Sequence, residues 1–148
     1  MESPADARTV SVSIERSASD VYELLRHPAS FPLWASGLGS TLEPGPDGWT
    51  MEGPEGPVTV RFSDRNDYGV LDHTVVVGPG VEVHMPMRVV ANRGGSEVLL
   101  TVFRQPGMTD EMFERDVDWV RRDLATLAGL IEGGELRSDG TPRREEDP

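Results

Sequence analysis

Two neighbouring side chains, Asp72 and His73, are the candidates for acid/base chemistry in this chain. They lie in a strand-like, mostly apolar segment of about residues 70–77. An inward-facing histidine could act as a general base, because its ordinary pKa is near neutrality and burial keeps the ring neutral. An inward-facing aspartate would have a raised pKa and could act as an acid. Either residue could instead form only structural hydrogen bonds, for example with Arg88.

The register of one hairpin decides which of these two residues faces inward. A three-residue loop would pair Val77 with Val81 and turn His73 inward. A two-residue turn would instead pair Gly78 with Val81 and turn Asp72 inward. The Gly-Pro-Gly sequence at the turn permits both. The sequence therefore leaves open whether a ligand would meet an imidazole or a carboxylate.

A second set of candidates is apolar and would line a pocket. Methionine thioethers adapt to irregular ligands, and a tryptophan ring can stack on an aromatic one. Core packing explains the same residue types. The candidate ligand-binding residues are Trp34, Phe62, Met85, Met87, Phe113, Val117, Val120 and Leu124.

Composition excludes several kinds of site. The chain of 148 residues contains no cysteine, so a disulfide, a thiolate nucleophile and a cysteine-bound zinc are impossible. Its three histidines are dispersed, and no glycine-rich phosphate loop joins a strand to a helix. We therefore expect neither a metal nor a cofactor.

Charge and hydropathy limit the partners. The formal net charge of -12 disfavours nucleic acid and anionic membranes, since both select a basic face. No apolar run approaches the roughly 20 residues that cross a bilayer, and residues 1–8 contain no apolar signal segment. We expect a single-domain cytoplasmic protein without membrane insertion. Its oligomeric state is not indicated.

The element that must position the candidates is a long helix in the last third of the chain. Thr109 can cap its start, and Gly133 with Gly134 can end it. At about 24 residues it would span roughly 36 Å. Its apolar residues recur at steps of four and three and form one stripe, which can be buried only against the concave face of a sheet. They are Phe113, Val117, Val120, Leu124, Leu127 and Ile131.

The preceding residues indicate strands and two short helices. Alternating residues from Thr9 predict a half-buried strand, followed by a helix that must end before Pro28 and a second short helix over residues 30–36. Closely spaced turns beyond them require antiparallel hairpins. The six segments with strand character are about 38–43, 49–52, 58–65, 70–77, 81–91 and 96–104.

This order of elements resembles the START-like, helix-grip superfamily, also called SRPBCC, which includes polyketide cyclases, dehydratases and lipid-transfer domains. The resemblance covers about residues 9–132 and looks nearest to an uncharacterised bacterial subgroup of cyclase-like proteins. It implies an α+β fold, in which a curved seven-stranded antiparallel sheet wraps round the C-terminal helix and two short helices follow strand 1. It also implies a ligand-binding domain at residues 9–134, with flexible termini at 1–8 and 135–148. The segments that carry it are residues 21–25, 31–34, 68–73, 86–89 and 103–108.

Three functions are compatible with these features. The favoured hypothesis is binding of a small hydrophobic molecule, lipid- or polyketide-like, in a cavity between the sheet and the C-terminal helix. The second is a polyketide cyclase, aromatase or dehydratase that uses His73 or Asp72 as acid or base. The third is a co-chaperone-like module for protein interaction. The superfamily contains both enzymes and binders, so the resemblance alone does not choose between them.

Overall fold

Two short helices interrupt the strands early in the chain, and one long helix follows them. The computed structural model describes residues 2–35, 42–53 and 56–143. Its helices are α1 (Ala18–Leu25), α2 (Phe31–Trp34) and α3 (Asp110–Glu132), with a 3₁₀ turn at Pro28–Ser30. Its strands are β1 (Ala7–Ile14), β2 (Glu43–Gly45), β3 (Gly48–Gly53), β4 (Gly56–Phe62), β5 (His73–Gly78), β6 (Val81–Met85), β7 (Met87–Asn92) and β8 (Gly95–Phe103).

The strands form two antiparallel sheets. One has the order β1-β8-β7 and the other the order β2-β3-β4-β5-β6. The prediction of one seven-stranded sheet was therefore wrong: the described residues contain eight strands in two sheets. Of the predicted strand at 38–43, residues 38–41 lie outside the described part of the chain, as does residue 36 of the predicted second helix.

Pro86 divides the predicted strand 81–91 into β6 and β7. Proline has no N–H to donate to a ladder, and here only its carbonyl is used, accepting from the Thr101 N–H at 2.9 Å. The two sheets remain connected beside this break, because Val70 forms an isolated bridge with Arg88. The Leu71 N–H donates to the Met87 carbonyl at 2.9 Å in the same place.

The β5–β6 hairpin combines features of both predicted registers. It has the two-residue turn, but a β-bulge at Val77 adds one residue to β5. The residues before the bulge therefore face the sides that the three-residue loop predicted. His73 consequently faces inward and is buried, whereas Asp72 is only partly buried. The paired residues are Gly78 with Val81, Val76 with Glu82, and His73 with Met85.

Helix α3 confirms the stripe predicted from the sequence. The Thr109 side chain accepts from the Met112 N–H at 3.2 Å, and Gly133 caps the other end. All six stripe residues pack into the core, five of them fully buried and Val120 partly so. Burial stabilises the fold by roughly 1.5 to 3 kcal/mol per large side chain before conformational entropy is subtracted. The helix lies mainly against β1, and it also meets α2 and β8.

The hydrogen-bonded part of the chain is wider than the predicted domain of residues 9–134. At one end β1 already begins at Ala7, and at the other residues 135–143 form a small hairpin. Its Arg137 N–H donates to the Thr141 carbonyl at 2.7 Å, and Leu136 is buried. Gly140 has φ +82°, and a Cβ there would lie 2.9 Å from the His27 Cβ. The hairpin thus packs tightly against the end of α1.

Candidate functional site

His73 lies at the centre of a cluster of aromatic rings. Only 5% of its surface is exposed. Its ring meets Phe31 edge-on, with centroids 5.2 Å apart, and Trp34 edge-on at 6.3 Å. Phe62, its partner in the β4–β5 ladder, lies at 6.2 Å. Pairing of β4 with β5 and the placement of α2 therefore hold the imidazole between three apolar rings.

The hydrogen bond of His73 defines its tautomer. Its Nδ1 lies 3.2 Å from the Leu71 carbonyl oxygen. Because a carbonyl can only accept, Nδ1 carries the hydrogen in the neutral ring and Nε2 keeps a lone pair. Burial lowers the pKa of His73 to about 4, and the bond to Leu71 offsets this only in part. At neutral pH the buried imidazole is therefore uncharged and offers Nε2 as an acceptor.

Asp72 joins the two sheets. Its carboxylate accepts from the Met87 N–H at 2.7 Å and forms an ion pair with Arg88. The Asp72 and Arg88 side chains are 23% and 44% exposed. Both contacts link the start of β5 to the start of β7. The structural role considered for this aspartate, including its pairing with Arg88, is the arrangement observed.

Two pockets lie on either side of the ring cluster and share Phe31, Trp34 and His73 in their walls. The smaller has a volume of about 20 Å³, room for roughly one water molecule, and extends towards Tyr22 and Asp72. The larger has a volume of about 120 Å³ and lies towards α3. Its remaining lining residues are Ala35, Val75, Met85, Leu100, Val120 and Asp123.

The structure divides the predicted ligand-binding residues into three groups. Trp34, Met85 and Val120 line the larger pocket together with His73. Phe62 and Met87 line the smaller one, together with Asp72. The remaining three, Phe113, Val117 and Leu124, line neither pocket and are buried in the core.

Phe113 has a role that sequence analysis missed. The guanidinium groups of Arg8 and Arg104 lie over its ring, at 5.7 and 5.0 Å from the centroid. Arg104 also contacts the Asp6 carboxylate at 3.0 Å and the Asp110 carboxylate at 2.7 Å. These contacts connect the N-terminal segment, the end of β8 and the start of α3 around a buried ring.

Several residues of the larger pocket were not among the candidates, and two of them, Phe31 and Asp123, bear on its chemistry. Phe31 contacts His73 through a tertiary arrangement that no sequence pattern specifies. Asp123 is buried on α3 and lines the larger pocket. Three residues after Val120 and directly before Leu124, it lies on the flank of the apolar stripe. An acidic residue beside the apolar stripe is the sequence feature that could have identified Asp123 as a pocket residue.

Two further features are absent from the described residues. No group of three or more histidine or acidic residues there is arranged to hold a metal ion. Among the same residues, no helix combines the length and the apolar character that spanning a membrane requires.

Solved structures of other proteins share this fold. An uncharacterised protein from Bacillus thuringiensis superposes with a TM-score of 0.68 at 18% identity, over 84% of this chain and 98% of the other. The Aha1 dimer from Colwellia psychrerythraea gives 0.65 at 15% identity, over 88% and 98%. DynU16, a putative protein in the dynemicin biosynthetic locus, gives 0.63 at 16% identity, over 88% of this chain and 49% of DynU16.

Sequence comparison adds no closer relationship. No protein-family model matches the chain, and no curated protein matches it. At these low identities the structural likeness shows the fold alone. The chain has an α+β, START-like helix-grip fold, which confirms the predicted resemblance at the level of fold.

Proposed function

We propose that this helix-grip protein binds a small hydrophobic molecule in the larger pocket, between α2, the β5–β6 hairpin and α3. The observation that carries the proposal is a buried, uncharged imidazole set in an otherwise mostly apolar wall. Ligand sites are typically apolar concavities with a few polar groups that orient the ligand. The larger pocket has this character, with His73 and Asp123 as its polar residues.

The pocket volume supports a small ligand over a long lipid. Pockets for drug-sized molecules measure roughly 300–1,000 Å³, whereas this one measures about 120 Å³. An engineered protein cavity of about 150 Å³ binds benzene, so the volume here is of the order that one ring occupies. The lipid- or polyketide-like ligand favoured by the sequence would require the pocket to enlarge.

Fluorescence of Trp34 tests this function, because its indole forms part of the pocket wall. The chain has three tryptophans, so Trp49→Phe combined with Trp119→Phe leaves Trp34 as the only indole emitter. We expect saturable quenching or a shift of emission when toluene or a similar lipophilic probe is titrated. Native mass spectrometry of the purified protein should retain a comparable ligand. If no lipophilic compound perturbs Trp34 and none co-purifies, the proposal is wrong.

A second candidate is an acid/base enzyme of the cyclase or dehydratase type, with His73 as the base. Its support is the Nε2 lone pair of a histidine that lines the pocket. Against it, a pKa of about 4 makes His73 a weaker base than one matched to neutral pH. Asp72 also lies outside the larger pocket and is engaged with Arg88. A polyketide-like ketone that turns over with wild-type protein, but not with His73→Ala, would favour the enzyme.

A further inference from the structure

We propose that the ligand of the larger pocket is a neutral, single-ring compound bearing one hydroxyl or N–H donor, as phenol does, and is not a fatty acid or another anion. This inference rests on the proposed function and narrows it to a chemical class. Three properties of the pocket lead to it: its volume, the direction of the His73 hydrogen bond, and the charges of its lining residues.

The volume of the larger pocket matches about one ring. The pocket of about 120 Å³ is close to the cavity size that accepts benzene. Phe31, Trp34 and His73 pack edge-on to one another, with centroids 5.2 to 6.3 Å apart. These rings form one wall of the pocket and have little room to move. A fused two-ring compound exceeds this volume, so it would have to displace lining residues or extend out of the pocket, and packed interiors resist such displacement.

The tautomer of His73 favours a ligand that donates a hydrogen bond. Nδ1 is committed to the Leu71 carbonyl, and Leu71 lines only the smaller pocket. His73 also lines the larger pocket, and Nε2 of its neutral ring can only accept a hydrogen bond. A ligand hydroxyl or N–H placed there would gain a buried hydrogen bond. A site built around such a bond discriminates strongly against an analogue that lacks the group.

The lining charges disfavour an anion. Among the residues that the structure describes around the larger pocket there is no arginine, and the chain contains no lysine. A ligand carboxylate would therefore be buried without a basic partner, which costs several kcal/mol in proteins. Fatty acids and aromatic acids should be rejected on this ground.

Calorimetric titration with four probes tests the inference: phenol, toluene, benzoate and 1-naphthol, at pH 7.5 with wild-type protein. We expect phenol to bind at least as tightly as toluene, although toluene is the more hydrophobic of the two. Benzoate and 1-naphthol should each bind at least tenfold more weakly than phenol. Tighter binding of benzoate or 1-naphthol than of phenol would overturn the inference.

His73→Phe then isolates the hydrogen bond, since it keeps an aromatic ring in the cluster and removes the acceptor. The ratio of phenol to toluene affinity should fall roughly tenfold, because the phenol hydroxyl is left buried without a partner. His84→Phe is the matched control: His84 is exposed on β6, beside Thr74, and should leave the ratio unchanged. An unchanged ratio in His73→Phe would contradict the inference.

The probe set separates this inference from the proposed function. If toluene binds but phenol gains nothing from His73, the pocket is a ligand site and only the ligand class is wrong. If none of the four probes binds and no lipophilic compound perturbs Trp34, the proposed function fails as well. The comparison of probes on wild-type protein is decisive even if His73→Phe does not fold.

Discussion

The rings of Phe31 and His73 meet edge to face, with centroids 5.2 Å apart and planes at 74°. Phe31 belongs to α2 and His73 to β5, so this contact joins a short helix to a strand within the wall that the two pockets share. Edge-to-face pairs of this kind contribute about 0.5 to 1.5 kcal/mol beyond the area they bury. The site is therefore held by the same contacts that attach α2 to the sheet.

Burial of a neutral His73 should make stability depend on pH. Its pKa is about 4 in the folded protein against 6.5 for an ordinary histidine, so between these values the unfolded chain binds more protons. The stabilisation from keeping His73 neutral is present above pH 6.5 and is lost as pH falls towards 4. The loss should be on the order of 3 kcal/mol.

Chemical unfolding at pH 7.5 and pH 4.5 measures this effect. His73→Phe should lose less stability between the two pH values than wild-type protein, since it has no imidazole to protonate. His84→Phe should behave like wild type. Equal losses in wild type and His73→Phe would show that His73 does not control the pH dependence.

Asp72 should matter for stability and not for ligand binding. Asp72→Ala removes the acceptor of the Met87 N–H and should cost about 1 to 3 kcal/mol. Asp72→Asn keeps an acceptor and loses only the part-exposed ion pair with Arg88, so it should cost about 1 kcal/mol or less. Denaturant unfolding measures both changes, and toluene binding should be unaffected in Asp72→Asn. Loss of binding there would place the carboxylate in the site.

Filling the larger pocket should abolish binding without unfolding the protein. Val120 lines the pocket and is only partly buried, so Val120→Phe adds volume where space exists. We expect toluene affinity to fall at least tenfold and the free energy of unfolding to change by less than about 3 kcal/mol. Val90→Phe, at an exposed position of β7, is the control and should leave affinity unchanged. Unchanged affinity in Val120→Phe would mean that ligands bind elsewhere.

Arg104 should contribute more to thermal stability than an arginine with a single surface ion pair. It contacts Asp6, Asp110 and the ring of Phe113, whereas Arg121 pairs with Asp118 on an exposed face of α3. Arg104→Ala should therefore lower Tm measurably, and Arg121→Ala should change it little. Circular dichroism melts compare the two. Equal Tm values would show that the contacts around Phe113 do not act together.

Some features of this fold were available from sequence and others were not. The α3 stripe was predictable, because helical periodicity and both caps are local properties of residues 109–134. The division at Pro86 had a local cause too, yet the apolar alternation on both sides of that proline resembles one continuous strand. The contact of Phe31 with His73 depends on how α2 docks, which is a tertiary property. The least predictable feature was the hairpin register, since it depends on one bulged residue.

That bulge has a physical origin in Pro79. Two-residue hairpin turns whose twist matches the strands need φ > 0 at their first central residue, which proline cannot adopt. Gly80, at φ +71°, supplies a positive φ only at the second position, as in a type II turn. Such a turn tends to splay the strands, and a bulge adds local twist. Val77 is the extra residue, and it is 49% exposed.

Deleting Val77 should therefore be tolerated when the turn is corrected at the same time. Deletion of Val77 combined with Pro79→Asn creates an Asn-Gly turn, which favours a regular hairpin, and the pairing of His73 with Met85 is retained. Toluene binding should persist. Deletion of both Val76 and Val77, again combined with Pro79→Asn, is the control: removing a second residue reverses the side on which His73 lies, so binding should be lost. Calorimetry checks both variants, and equal binding by the two would contradict the inward placement of His73 that the bulge provides.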